Sequence, residues 1–144
     1  MMNLQYRKAS ESDLDFLLDL RMKTMTEHYA NSGLPTTEES ALQRVLYQFE
    51  KANIISLDNE AIGLLKLNKE SDKTEVLQIQ IHPKMQGKGI GKLILKDIIE
   101  EAKTAQKRVI LSVLKTNKAQ NLYSSLGFKI VEENEHSYIM EFSN

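Results

Sequence analysis

The sequence predicts an α+β fold, a mixed central sheet flanked by helices on both faces, in the order β-α-α-β-β-β-α-β-α-β-β. Three observations predict it. Long segments with apolar residues at helical spacing alternate with segments whose apolar residues recur at every second position. The run "RVILSVL" is continuous and β-branched, the mark of a strand covered on both faces. No repeat, low-complexity tract or linker interrupts the 144 residues, and 41% hydrophobic content suffices for one core, so residues 1–144 read as a single domain.

Each element has a local reason. "NLQYRK", Asn3 to Lys8, alternates as a first strand, and Ser10 with Asp13 resembles a capping box. Leu14, Leu17, Leu18, Met22 and Met25 then mark a helix that fades at Gly33 and Pro35. Thr36 and Glu39 repeat the box before a second helix with the stripe Leu42, Val45, Leu46 and Phe49. "NIISL", a turn at "DNE" and "AIGLLKL" read as a hairpin. "TEVLQIQIH" is the next strand. In it Leu77, Ile79 and Ile81 point one way and Val76, Gln78 and Gln80 the other, and pairing should stop at Pro83.

A helix from about Ile90 to Ala105 presents Ile90, Ile94, Leu95, Ile98, Ile99 and Ala102 on one face. After "RVILSVL" comes a short helix that Gly127 should cap at its C-terminus, and "FKIVEE" with "SYIMEF" close the chain as paired strands. These apolar final strands also offer a surface for a homodimer.

Composition narrows the chemistry. There is no cysteine, which removes disulfides, thiolate metal sites and a cysteine nucleophile, and fits a reducing, cytoplasmic location. His28, His82 and His136 lie far apart without ligand spacing, so no metal site is expected. A formal net charge of -1 gives no basic field for nucleic acid. No apolar run has the length of a signal peptide or a membrane span, so no membrane role is expected.

The chemically telling stretch is "HPKMQGKGIGKLILK". Glycine at a helix mouth costs about 0.8–1.0 kcal/mol relative to alanine. One glycine would serve a plain loop, whereas Gly87, Gly89 and Gly91 bare the main chain at three alternate positions. Free amides at a helix N-terminus make an anion site, and Lys84, Lys88 and Lys92 add positive charge, so a phosphate-bearing ligand is expected. The GxxxxGK[ST] and GxGxxG patterns both fail on spacing.

"QGKGIG", Gln86 to Gly91, resembles the Q/R-x-x-G-x-G/A signature of the GNAT acyl-CoA N-acyltransferases, and "NKAQNLYSSLGFKIV" resembles that family's second motif. The resemblance covers nearly the whole chain. It implies acetyl-CoA as co-substrate, with its pyrophosphate on Gln86, Gly87, Lys88, Gly89, Ile90, Gly91 and Lys92. It further implies a pantetheine arm paired like an added strand with the main chain of Ile79, Gln80 and Ile81.

It implies Tyr123 as the general acid for the leaving thiolate, the Ile81 amide as oxyanion donor and Glu75 as a candidate base, or else a water that Gln78 and Gln80 could order. Asn117 stands six residues before Tyr123 where relatives have seven, so either Asn117 at the helix cap or Thr116 contacts the cofactor. Arg21, His28, Tyr29, Glu38, His136 and Tyr138 are the acceptor-pocket candidates. The implied function is an acetyl-CoA-dependent N-acetyltransferase acting on a primary amine in a ternary complex. The alternatives are a non-catalytic acyl-CoA-binding module and a phosphate-binding scaffold for another nucleotide.

Overall fold

The computed structural model describes residues 3–143. Its elements, in chain order, are strand β1 (Leu4–Lys8), helix α1 (Leu14–Asn31), helix α2 (Glu38–Leu46), β2 (Ala52–Leu57), β3 (Glu60–Lys69), β4 (Lys73–Ile81), α3 (Ile90–Thr104), β5 (Arg108–Leu114), α4 (Ala119–Ser125), β6 (Lys129–Glu133) and β7 (Ser137–Phe142). This is the expected order. The strands form a seven-stranded mixed sheet in the order β1-β2-β3-β4-β5-β7-β6. The β4–β5 pairing is parallel, while the β1–β2, β2–β3, β5–β7 and β6–β7 pairings are antiparallel.

The contacts divide the chain into two compact units: one up to Lys66 together with Gln78–Lys88, the other Leu67–Leu77 together with the chain from Gly89. In the first, Ala9, Leu17, Leu20, Val45, Ala52, Ile54 and Leu64 form the core. Asp13 closes the start of α1: its carboxylate accepts two hydrogen bonds from the Arg7 guanidinium and one from the Ser10 amide, all at 2.8 Å. The β2–β3 hairpin turns at Asp58 and Asn59, both left-handed as a two-residue turn requires.

Three local expectations for α2 are corrected. Its N-cap is Thr37 rather than Thr36, with Thr37 Oγ1 accepting from the Ser40 amide at 3.1 Å. The helix also stops at Leu46, so Leu46 is 47% exposed and Phe49 falls in a separate 3-10 turn. The cause is Lys66 on β3. Its fully buried Nζ donates to the carbonyls of Val45 (2.8 Å), Tyr47 (2.6 Å) and Arg44 (3.2 Å), taking up acceptors that a longer helix would have used.

In the second unit, α3 buries the six apolar residues its periodicity marks out. Burial of that size is worth on the order of 10 kcal/mol gross, which outweighs the glycine penalty at the helix mouth. On β5, Val109, Leu111 and Val113 are buried while Ser112 is exposed, so only one face of this strand is fully covered. The continuous apolar run overstated the second face because Ile110 and Leu114 are half-exposed there.

Candidate active site

The mouth of α3 is built by its glycines. Gly87 and Gly89 adopt left-handed conformations, with φ of 77° and 81°, which lets the chain turn from the 3-10 turn Pro83–Met85 into the helix. Gly89 is the N-cap and supplies no side-chain cap. The first intrahelical bond runs from the Leu93 amide to the Gly89 carbonyl at 3.0 Å, so the amides of Ile90, Gly91 and Lys92 have no helical partner. A Cβ placed at residue 87, 89 or 91 would meet nothing within 4 Å. The mouth is therefore an open cradle of N–H groups, with Lys84, Lys88 and Lys92 exposed around it. A diphosphate fits such a cradle.

The segment before the mouth is an open strand edge. β4 pairs with β5 from Lys73↔Arg108 to Val76↔Leu111, yet β4 continues to Ile81. The His82 amide donates to the Ile62 carbonyl on β3 at 2.7 Å. Successive residues of a strand address opposite neighbours, so the main chain of Gln80 turns toward β3 with that of His82. The main chains of Ile79 and Ile81 turn the other way, to the edge that β5 does not use. Gln86 Nε2 donates to the Ile81 carbonyl at 2.9 Å and fixes the end of this edge. Of the three residues expected to offer main chain, Ile79 and Ile81 offer it at the open edge, while Gln80 contributes a buried side chain instead.

That side chain is unusual. Gln80 is 5% exposed, and its Oε1 accepts no hydrogen bond. Gln78, two residues earlier on the same face, donates Nε2 to the Arg44 carbonyl at 3.0 Å, which leaves its own buried Oε1 without a partner as well. Buried acceptors are normally satisfied. Two orphaned oxygens in one row suit a ligand that brings N–H donors.

Arg21 and Tyr29, both singled out in the sequence, meet on α1. Arg21 Nη2 donates to the Tyr29 hydroxyl at 2.7 Å and its guanidinium stacks on the ring at 5.1 Å. Arg44 of α2 also donates to that hydroxyl, from Nε at 3.0 Å. Burial pulls the Arg21 guanidinium below its usual value, and the Arg44 charge pulls the same way. Lys66 is pushed down to about 8 by burial first and by the charges of Arg21 and Arg44, with Glu50 opposing.

Arg44 and Lys66 escaped the sequence reading; the only signal was a lysine inside the apolar run "AIGLLKL". His28 is in the last turn of α1, and Glu38 is exposed in the first turn of α2. His136 sits in the β6–β7 turn, where its amide donates to Asn134 Oδ1 at 3.0 Å. Tyr138 on β7 lies under Lys115 Nζ at 5.3 Å.

Tyr123 is 9% exposed on α4, and burial pushes its phenol up to about 12. The N-cap of this helix is Lys118 rather than Asn117, which stands one residue earlier and accepts from the Ala119 amide through Oδ1 at 2.9 Å, an Asx turn. Thr116, the other residue weighed for the cofactor contact, precedes it in the same turn. Glu75 lies in the β5-paired half of β4, opposite Ile110. Among the described residues, no group of His, Cys, Asp or Glu could hold a metal ion, and no helix is long and apolar enough to cross a membrane.

A glycine-opened helix mouth with bare amides suits a phosphate group, and an open strand edge suits a ligand that pairs along the main chain. Comparison with known proteins gives the class a name. A family profile described as "Acetyltransferase (GNAT) domain" matches residues 50–130, more than half the chain. The chain belongs to the GNAT acetyltransferase family, and it is an acetyl-CoA-dependent N-acetyltransferase. It is 26% identical, over 97% of both chains, to spermidine N(1)-acetyltransferase of Thermoplasma acidophilum.

Among solved structures, it resembles the PaiA N-acetyltransferase of Thermoplasma acidophilum in complex with coenzyme A. The TM-score is 0.78 and the identity 24%, with 99% of this chain and 100% of that chain covered. It also resembles an acetyltransferase from Thermus thermophilus, with TM-score 0.74, 19% identity and 96% of each chain covered.

Proposed function

We propose that the protein moves the acetyl group of acetyl-CoA directly to a primary amine within a ternary complex, and that one domain of 144 residues does so in the cytoplasm. The observation that carries this reading is the set of bare amides at Ile90, Gly91 and Lys92, and the open edge at Ile79 and Ile81 supports it separately. Acetyl-CoA supplies the thioester carbon: a C–N bond forms, the C–S bond breaks, and the amine loses one proton while the thiolate gains one.

The chain's residues divide this work. The amides from Gly87 to Lys92, with the Lys88 and Lys92 charges, hold the diphosphate, and Gln86 fixes the strand end beside it. Ile79 pairs with the pantetheine arm, and the Ile81 N–H donates to the oxyanion. Gln78 Oε1 and Gln80 Oε1 accept from the incoming amine or from a water that takes its proton. Glu75 is the carboxylate that could serve instead as base. Tyr123 is the general acid at sulfur. With its own value at about 12, its proton and the C–S bond move together, and net charge is restored from solvent. Asn117 shapes the start of α4 and, with Thr116, borders the cofactor. Ile130 and Val131, exposed on the edge strand β6, are the surface for a homodimer.

The test follows free thiol while the protein, acetyl-CoA and a panel of primary amines are incubated together. Release of thiol that depends on the amine supports the reading, and coenzyme A binding without turnover on any amine contradicts it. Glu75→Gln separates the two routes for the proton: a large loss in kcat assigns the base to Glu75, and little loss assigns it to water at Gln80.

A further inference from the structure

The first unit brings Arg21, Arg44 and Lys66 close enough to act on one another, with Glu50 opposing only at Lys66. Arg21 is 5% exposed, and its hydrogen-bond partner is the Tyr29 hydroxyl rather than a carboxylate. Among the described residues, neither Arg21, Arg44 nor Lys66 forms a salt bridge. A buried cation without a counter-ion is costly, and proteins normally pair it. Stacking on Tyr29 offsets part of that cost but leaves the charge.

The hydrogen bonds point the same way. Guanidinium groups only donate, so the Tyr29 hydroxyl accepts from both Arg21 and Arg44 and keeps its own proton to give. Two guanidinium groups thus meet on one hydroxyl, and among the described residues neither is paired with a carboxylate. Beside them, Arg21 and Tyr29 line an open hollow between α1 and α2, together with Met22, Met25, Thr37 and Ser40 and without any carboxylate. The backbone of Arg44 is tied to Gln78, whose orphaned oxygen is suited to an amine.

We propose that the Arg21–Tyr29–Arg44 cluster binds a carboxylate on the acceptor, so that the amine acetylated belongs to a molecule that also carries an acid, such as a free amino acid. This rests on the N-acetyl transfer to a primary amine proposed above. A guanidinium fork matches the planar carboxylate, and the Tyr29 O–H supplies a further donor. A polyamine finds the opposite environment, because its cations would face Arg21 and Arg44 with no acid to hold them. The protein would therefore differ in acceptor from its spermidine-acetylating relative.

Matched pairs of amines test this. Lysine is set against cadaverine, ornithine against putrescine, arginine against agmatine and tyrosine against tyramine, with spermidine added. Phosphoethanolamine against ethanolamine separates a carboxylate site from a general anion site. Thiol release gives kcat/KM, and thermal stabilisation in the presence of coenzyme A gives binding independently of turnover.

The expected result is that carboxylate members of at least one pair exceed their decarboxylated partners by about tenfold or more. Arg21→Gln should remove that preference through KM with kcat kept. Tyr29→Phe and Arg44→Gln, which leave the buried charge in place, should each reduce it, and they serve if Arg21→Gln does not fold. Equal or better use of cadaverine, putrescine or spermidine overturns the proposal while leaving N-acetyl transfer intact. So does a preference unmoved by all three variants, or a stronger preference for phosphoethanolamine. If no amine is turned over, transfer to small amines fails, and binding alone decides the cluster: stabilisation by carboxylate members only supports it, and stabilisation by none overturns it.

Discussion

The Phe128 amide donates to the Tyr123 carbonyl at 3.0 Å, and the two rings lie 5.9 Å apart between centroids. With the Gly127 amide bonded to the Ser124 carbonyl at 3.1 Å and Gly127 left-handed at φ 104°, this is a Schellman motif closed by its usual apolar contact. The Tyr-x-x-x-Gly-Phe spacing thus has a structural cause: the end of α4 locks the tyrosine backbone and ring together.

Since that lock uses the backbone and the ring, Tyr123→Phe should fold like the parent. Its thermal midpoint should stay within a degree or two, while kcat falls by about 10²-fold or more. The pH dependence adds a second check. Burial keeps the Tyr123 phenol protonated to about 12, so ionisation of Tyr123 should not limit the parent's rate below that pH. A fall in the parent's rate near pH 10 that Tyr123→Phe abolishes would contradict the environment described for Tyr123.

Lys66 offers a prediction about stability. Lys66→Met strands the carbonyls of Arg44, Val45 and Tyr47 and should cost about 1–3 kcal/mol at neutral pH. The sign of the pH dependence follows from the lowered value. Between about 8 and 10.5 the unfolded chain holds a proton that the folded chain has released, so stability contributed by this site rises with pH. Denaturant melts of parent and variant from pH 8 to about 10 should show the parent gaining on the variant.

Asp13 behaves in the opposite sense. The Arg7 guanidinium, against burial, holds its carboxyl down to about 2, with help from the Ser10 amide. The stability this adds is present above the ordinary carboxylate pKa near 3.8 and is lost as pH falls toward 2. Arg7 is more than half exposed, so solvent screening limits the gain to roughly 1–2 kcal/mol. Asp13→Asn should lower the midpoint at pH 7 and converge with the parent near pH 2.

Residues whose role is local were legible in the sequence. Glycine punctuation at 87, 89 and 127, apolar periodicity in α3 and the proline after β4 depend on backbone sterics and on neighbours a few residues away. What the sequence hid depends on distant partners. The end of α2 is decided by Lys66, about twenty positions later, which is why Leu46 and Phe49 depart from the stripe their spacing suggests. The burial of Gln80 defies its polarity. The convergence of Arg21 and Arg44 on Tyr29 joins two helices through side chains whose spacing carries no motif.

The central claim is that amides at the mouth of α3 grip the diphosphate of coenzyme A. Gly91 isolates it: its φ is not left-handed and an added side chain would enter open space, so Gly91→Leu should leave the ligand-free protein as stable as the parent or more so. The measurement is a calorimetric titration of both proteins with coenzyme A, beside their ligand-free melting curves. Binding weakened by about tenfold or more in a variant that melts like the parent is the predicted result; an unchanged Kd in that variant would contradict it.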